Sequence, residues 1–245
     1  SVLSEQFQDI LKNGENSGYR DFFIDWNQFW DGYGEMTPDG YIQPKDEYIK
    51  NMFFRKPGLP ILMVRFPDGK NVPDWNTFYQ EVRYPALDAQ DVMRAAGTQY
   101  YAADEIAHMV QEGLETGKKP GEIEFGKYAP YKEAVVEYLE SNRKYLGQMD
   151  LNIKSPLVWD FYDAVLKKLS GYGAKIIRLD AFAYAPKEPG EKNFLNEPGT
   201  WDVLEKVQEL ADKHGLSLLP EIHASYGEKN YEVISSKGYL TYDFF

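Results

Sequence analysis

The sequence predicts an α/β protein whose C-terminal part is built from parallel strand–helix–strand units. Two short apolar runs about forty positions apart carry that expectation. They are Lys175-Ile176-Ile177-Arg178-Leu179-Asp180 and Leu216-Ser217-Leu218-Leu219-Pro220-Glu221-Ile222-His223. Between them, Val203, Leu204, Val207, Leu210 and Ala211 fall on one face at helical spacing. Thr200 reads as the N-cap of that helix, and Gly215, after Lys213 and His214, as its stop. A third observation extends the rhythm backwards. Ser155 and Pro156 have the N-cap and first-position chemistry of a helix. In that helix Leu157, Phe161, Ala164, Val165 and Leu169 share a face, and Gly171 and Gly173 end it. Such crossovers are almost always right-handed.

Residues 1–154 lack this rhythm. Leu3, Phe7, Ile10 and Leu11 mark a short amphipathic helix. A Gly-, Asp- and Pro-rich stretch follows, with turn signals at Asp31-Gly32, Pro38-Asp39-Gly40 and Lys56-Pro57-Gly58. Phe22, Phe23, Trp26, Phe29 and Trp30 read as a packing cluster. Residues 61–66 and 71–75 are expected to form a hairpin around Asp68-Gly69. Helical patterns follow near 87–94, 103–115 and 131–145. The residues from Tyr239 to Phe245 read as a last strand.

The chemistry sits at the ends of the two apolar runs. In a strand, residues two apart share a face. Arg178 and Asp180 therefore point one way together, as do Leu219, Glu221 and His223. Two carboxylates at the tips of neighbouring parallel strands suit glycoside chemistry, one as nucleophile and one as proton donor. Asp180 is the expected nucleophile, with Arg178 holding it ionised. Glu221 is the expected general acid, then base. It must keep its proton, which burial and a nearby carboxylate favour. His223 shares the face of Glu221 and is positioned to bind the sugar or the acceptor. A plainer reading makes Asp180 the cap of a turn and Arg178 its structural partner. A metal site built from Asp180, Glu221 and His223 is a further competitor, and the cation at Arg178 argues against it. The loop from Ala181 to Gly199 is long for a βα connection, and long loops are often functional.

These residues resemble the alpha-amylase family of glycoside hydrolases. Arg178-Leu179-Asp180-Ala181 is similar to that family's nucleophile motif, and Pro220-Glu221-Ile222-His223 to its acid/base motif. Gln148-Met149-Asp150-Leu151-Asn152 resembles a short motif near the end of the family's inserted domain B. Within the family, Glu221-Ile222-His223 with Ser225-Tyr226, and Arg55-Lys56-Pro57-Gly58-Leu59-Pro60, look most like sucrose phosphorylase-type enzymes. The resemblance implies a partial (β/α)8 TIM barrel, about strands four to six, with a large domain B-like insertion over 1–154 and catalytic barrel over 155–245. It implies retaining glucosyl transfer from alpha-glucosides without metal or cofactor, and it places Gln148 near the donor sugar. Arg55 and Lys56 become candidate contacts for phosphate or another polar acceptor. Hydrolysis, phosphorolysis and transglycosylation all remain open, since they share the glycosyl-enzyme and differ in the acceptor.

The family's Asn-His motif on the third strand and His-Asp motif after the sixth are not found. From Ser155 onward there is chain for about three βα units at roughly 30 residues each, short of the ~250 residues of a closed barrel. The chain reads as an internal segment of a longer enzyme, inactive by itself and prone to associate through its incomplete barrel. A non-catalytic carbohydrate-binding or scaffold fragment is the alternative.

Composition narrows the partners. With 27 basic and 39 acidic side chains, the net charge is −12, which disfavours nucleic acid and anionic membrane surfaces. No apolar run approaches the ~20 residues of a membrane span. The absence of cysteine rules out disulfides and thiolate metal sites and fits a reducing cytoplasm. Frequent Tyr and Trp offer flat faces that suit sugar C–H surfaces.

Overall fold

The computed structural model describes residues 1–54, 56–78, 81–222 and 229–241. Helix α1 spans Glu5–Asn13, and Ser4 caps it by accepting from the Phe7 amide. Its buried face is Phe7 and Ile10, while Leu3 lies outside the helix, 82% exposed. Next come α2 (Trp26–Phe29), the antiparallel ribbon β1 (Gly34–Met36) with β2 (Ile42–Pro44), and α3 (Asp46–Ile49). The expected hairpin is present as β3 (Ile61–Arg65) against β4 (Asn71–Trp75), with Gly69 supplying the positive φ of its turn. Strand β5 (Glu81–Arg83) precedes α4 (Ala89–Ala96), α5 (Tyr100–Glu115) and α6 (Lys132–Ser141). The chain then returns as β6 (Lys144–Leu146), antiparallel to β5. The expected third helical pattern therefore ends early, and its last residues pair as a strand.

The C-terminal part holds α7 (Pro156–Gly171), β7 (Ile176–Leu179), α8 (Gly199–Lys213), β8 (Ser217–Pro220) and α9 (Asn230–Ser236). Strands β7 and β8 pair in parallel, as the strand–helix–strand reading expects. Two capping expectations need correction. Thr200 lies inside α8 rather than before it, and its buried hydroxyl has no hydrogen-bond partner. Ser155 does precede α7, but its side chain makes no capping bond. The buried stripe of α7 is also offset by one residue. Val158 and Leu166 are buried, Leu157, Phe161, Val165 and Leu169 are half-buried, and Ala164 is exposed. Of the expected last strand, Tyr239, Leu240 and Thr241 are not in strand conformation, and 242–245 lie outside the described residues.

Among the described residues, four apolar clusters hold these elements. Phe7, Phe22, Phe23, Leu62 and Val64 pack with Val158 of α7, so the chain on either side of Lys154 shares one core. Val92, Ile106, Val110 and Leu139 join α4, α5 and α6. Leu204, Val207, Leu218 and Ile234 join α8, β8 and α9. Trp26, Trp30 and Trp75 are wholly buried together, with Trp26 and Trp75 ring centres 4.8 Å apart. The aromatic run after Asp21 is thus packing, as its spacing suggests.

Asp74, on β4 beside these rings, is 3% exposed. Burial, and then the charge of Asp25, push its carboxyl well above the usual range against the opposing pull of Arg20. A raised folded-state value means that its protonated form stabilises the fold at low pH. That contribution fades as pH climbs from the unfolded value through the folded one. Asp74→Asn, which carries no charge at any pH, should therefore melt higher than wild type at neutral pH. The difference should shrink on acidification. A melting difference that is constant across pH would contradict this account.

Candidate active site

The parallel register places Arg178 opposite Leu219 and Leu179 opposite Pro220. One step further along, the Glu221 amide donates to the Leu179 carbonyl at 3.0 Å. Asp180 and Glu221 thus leave the sheet side by side at the C-terminal ends of β7 and β8. One face of this sheet carries Leu218, buried against Leu204 and Val207, with Ile177 and Leu179 half-buried beside it. The other face carries Arg178, Asp180, Leu219 and Glu221. Apolar packing against α8 on the first face therefore directs the charged side chains onto the second.

Arg178 joins both acids. Its Nη2 donates to Glu221 Oε2 in a close hydrogen bond and lies 3.6 Å from Asp180 Oδ1. The expected pairing of Arg178 with Asp180 is therefore only part of the arrangement, since the direct contact is with Glu221. The two acids also differ in environment. The Glu221 side chain is 6% exposed and that of Asp180 is 73% exposed. Two influences on Glu221 oppose one another: burial disfavours its charge, and contact with the guanidinium favours it. Chemically, the set offers a solvent-facing carboxylate beside a buried one, with a cation shared between them.

Directly after Asp180, Ala181 adopts a left-handed backbone with φ 51°. An alanine there costs on the order of 1 kcal/mol. The sharp turn lets Phe182 and Ala183 drop into the core, 5% and 1% exposed, while Asp180 stays at the strand tip.

The long loop that follows is docked rather than loose. Lys187, 4% exposed, pairs with Asp150 at 2.7 Å and donates to the Tyr184 carbonyl at 2.6 Å. It also lies 5.4 Å from the Trp75 ring. Asp150 additionally accepts from the Thr77 amide and hydroxyl. Lys154 pairs with Glu188. Farther along, the Gly190 amide donates to the Tyr48 carbonyl, and Asn51 donates to the Gly190 carbonyl. Asn193 exchanges two hydrogen bonds with the backbone of Phe53. A cleft of about 490 Å³ lies along this seam, lined by Asp25, Phe29, Asn152, Lys154, Lys187 and Glu188 among others. Asp180 and Glu221 do not line it.

The structure therefore brings together Arg178, Asp180 and Glu221 from the expected set. Gln148 is exposed, in the connection after β6, two residues from the anchored Asp150. Lys56 is exposed, three residues past the Asn193-bound Phe53. Arg55 and His223 lie outside the described residues. Among the described residues no group of three or more His, Asp or Glu side chains is arranged to hold a metal ion. No helix of the described residues is long and apolar enough to cross a membrane. Sequence reasoning missed Lys187 and Asn193. Their only signal was membership of an overlong loop, because Asp150 and Phe53, which anchor them, lie far away in the chain.

No family model matches the chain. Over its whole length it is 44% identical to a sucrose 6(F)-phosphate phosphorylase of Ilumatobacter coccineus, of which it covers 36%. It is 25% identical to a sucrose phosphorylase of Streptococcus mutans, covering 35% of that protein. Among solved structures, the whole chain superposes on sucrose 6F-phosphate phosphorylase from Thermoanaerobacter thermosaccharolyticum with a TM-score of 0.63 at 26% identity, covering 35% of that chain. The chain thus spans about a third of the length of these relatives.

Proposed function

We propose that this chain, whose homologues are the sucrose phosphorylases of the alpha-amylase family, carries the nucleophile and the acid/base of a retaining glucosyl-transferring enzyme. The observation that supports this best is the side-by-side exit of Asp180 and Glu221 from paired parallel strands around one guanidinium. In this reading β7 and β8 are two strands of a partial (β/α)8 barrel, and residues 1–154 are its domain B-like insertion.

The steps follow from the two carboxyls. An Asp180 oxygen attacks the anomeric carbon of an alpha-glucoside. The bond to the leaving oxygen breaks, and Glu221 delivers its proton to that oxygen. A covalent glucosyl ester on Asp180 results. Glu221, now a carboxylate, takes the proton from an incoming phosphate as the phosphate oxygen attacks the same carbon and releases Asp180. Inversion twice gives net retention. Arg178, which reaches both acids, balances the single negative charge wherever it sits in this cycle, on Asp180 before attack and on Glu221 in the glucosyl-enzyme. His223 and Gln148 contact the sugar. The relatives' names make sucrose or its 6F-phosphate the proposed donor and phosphate the acceptor. The absence of cysteine fits a reducing cytoplasm as the working compartment.

Product analysis tests the reading in a polypeptide of the relatives' length that carries this sequence. With phosphate and donor present, glucose 1-phosphate should form, and without phosphate only slow hydrolysis should occur. Equal glucose release in both conditions would make it a hydrolase instead.

Arg55 and Lys56 are the proposed phosphate contacts, because a guanidinium and an ammonium bind phosphate as a fork and a point charge. Arg55→Ala and Lys56→Ala should each raise the KM for phosphate by about tenfold or more. Unchanged phosphate dependence in both variants would remove them from the site.

This chain by itself should not turn over substrate. Asp180 is 73% exposed on a sheet face where Ile176 is 56% exposed. Electrostatic stabilisation, usually the largest catalytic contribution, needs a site closed to water. Turnover by the 245-residue monomer at the rate of the longer polypeptide would overturn this expectation.

A further inference from the structure

We propose that Asn193 is a positioning residue for the acceptor step: it fixes the backbone at Phe53, three residues before Lys56, against the loop that departs from Asp180. The inference rests on the reading above, in which Asp180 receives the glucosyl group and Lys56 meets phosphate.

The geometry is specific. Asn193 is 2% exposed. Its Oδ1 accepts from the Phe53 amide at 2.9 Å, and its Nδ2 donates to the Phe53 carbonyl at 2.8 Å. A primary amide is well suited to this task, because it presents one acceptor and one donor side by side. It satisfies both main-chain groups of a single residue, as a neighbouring strand would. Phe53 is 59% exposed, so apolar burial does not hold that residue itself. Met52, buried, and Phe54, half-buried, lean on the tryptophan cluster on either side. Those contacts are non-directional. The paired hydrogen bonds supply direction, and they fix the orientation of the main chain at Phe53.

Asn193 lies thirteen positions after Asp180 in the same loop, counting along the sequence. The loop is secured at its middle by Lys187 and Gly190. In this reading a displacement at Phe53 is passed on to Lys56, three residues later, while Asp180 stays at the end of β7. The expected signature is selective. Capture of the glucosyl group by phosphate weakens, while formation of the glucosyl-enzyme and its reaction with water continue.

The test uses the polypeptide of the relatives' length with glucosyl fluoride as donor and inorganic phosphate as the varied acceptor. Asn193→Ala leaves the Phe53 amide and carbonyl without this partner and should raise the KM for phosphate by about tenfold, roughly the worth of one weakened hydrogen bond to a charged group. Fluoride release without phosphate should change less than twofold. Asn193→Asp keeps the acceptor for the Phe53 amide but sets a charge against the Phe53 carbonyl, and it should shift KM in the same direction. Parallel loss of both activities would reveal a merely structural role and overturn the proposal. So would an unchanged KM in a folded variant, or failure of both variants to fold. Wild type without any phosphate-dependent turnover would instead overturn the underlying functional reading, which separates the two failures.

Discussion

Asp180→Asn is expected to abolish turnover in the polypeptide of the relatives' length, and with it covalent labelling by a slow donor. The amide lacks the charge and the nucleophilic oxygen needed to form the glucosyl ester. Losses of a nucleophile run to the order of 10⁴-fold or more. The substitution is nearly isosteric at a side chain that is 73% exposed, so little change in stability should accompany it. Glu221→Gln should behave differently. It removes proton delivery, worth roughly 10²–10⁴-fold, yet a donor such as glucosyl fluoride, whose leaving group needs no proton, should still label Asp180. Intact labelling of Asp180→Asn would sink the nucleophile assignment. Equal loss of labelling in both variants would sink the division of roles.

Lys187→Met should carry the largest stability cost of any single change at the loop. Lys187 and Asp150 are both largely buried, with side-chain exposures of 2% and 11%, and they meet at 2.7 Å. Removing the ammonium leaves a carboxylate in a place that solvent cannot rescue. Breaking such pairs typically costs about 3–5 kcal/mol. The double variant Lys187→Met with Asp150→Asn should recover much of the loss. It leaves no charge behind, and an Asn oxygen still accepts from the Thr77 amide that Asp150 now binds. Urea midpoints of the two single variants and the double variant measure this coupling. A single-variant cost below about 1 kcal/mol, as for surface pairs, would show that the pair is effectively solvated.

Local periodicity explains what was legible in the sequence. The β7–α8–β8 unit, the β3–β4 hairpin and the start of α7 are each written in contiguous residues: apolar runs, a 3.6-residue repeat, and a Gly or Pro where the chain must turn. The side-by-side placement of Asp180 and Glu221 follows from two such runs of similar length. Elements without a local signature were not legible. Glu81-Val82-Arg83 and Lys144-Tyr145-Leu146 are too short and too polar to announce strands, and each is a strand only because the other pairs with it. Asn230–Ser236 mixes β-branched and small polar residues, yet it is helical around buried Ile234. Thr200 has N-cap chemistry, but Gly199 already lies in the helix before it, so the hydroxyl is enclosed instead. The sharing of Arg178 between two acids could not be read from the spacing of Arg178 and Asp180, because Glu221 reaches the guanidinium from another strand. The contacts of Lys187 and Asn193 connect stretches far apart in the chain, and nothing in a one-dimensional pattern specifies them.

The docking of Tyr48–Phe53 onto Gly190–Asn193 has a consequence for recombination between relatives. Four polar contacts cross that seam, from the Gly190 amide, the Asn51 side chain, the Phe53 amide and the Asn193 side chain. All four use a main-chain group on at least one side and so depend on the exact path of the chain there. A chimera that takes one stretch from one parent and one from another inherits two halves of a joint that were never fitted to each other. Exchanging both stretches as a linked module, although well over a hundred residues separate them in the sequence, preserves the joint. Acceptor preference should then travel with that module.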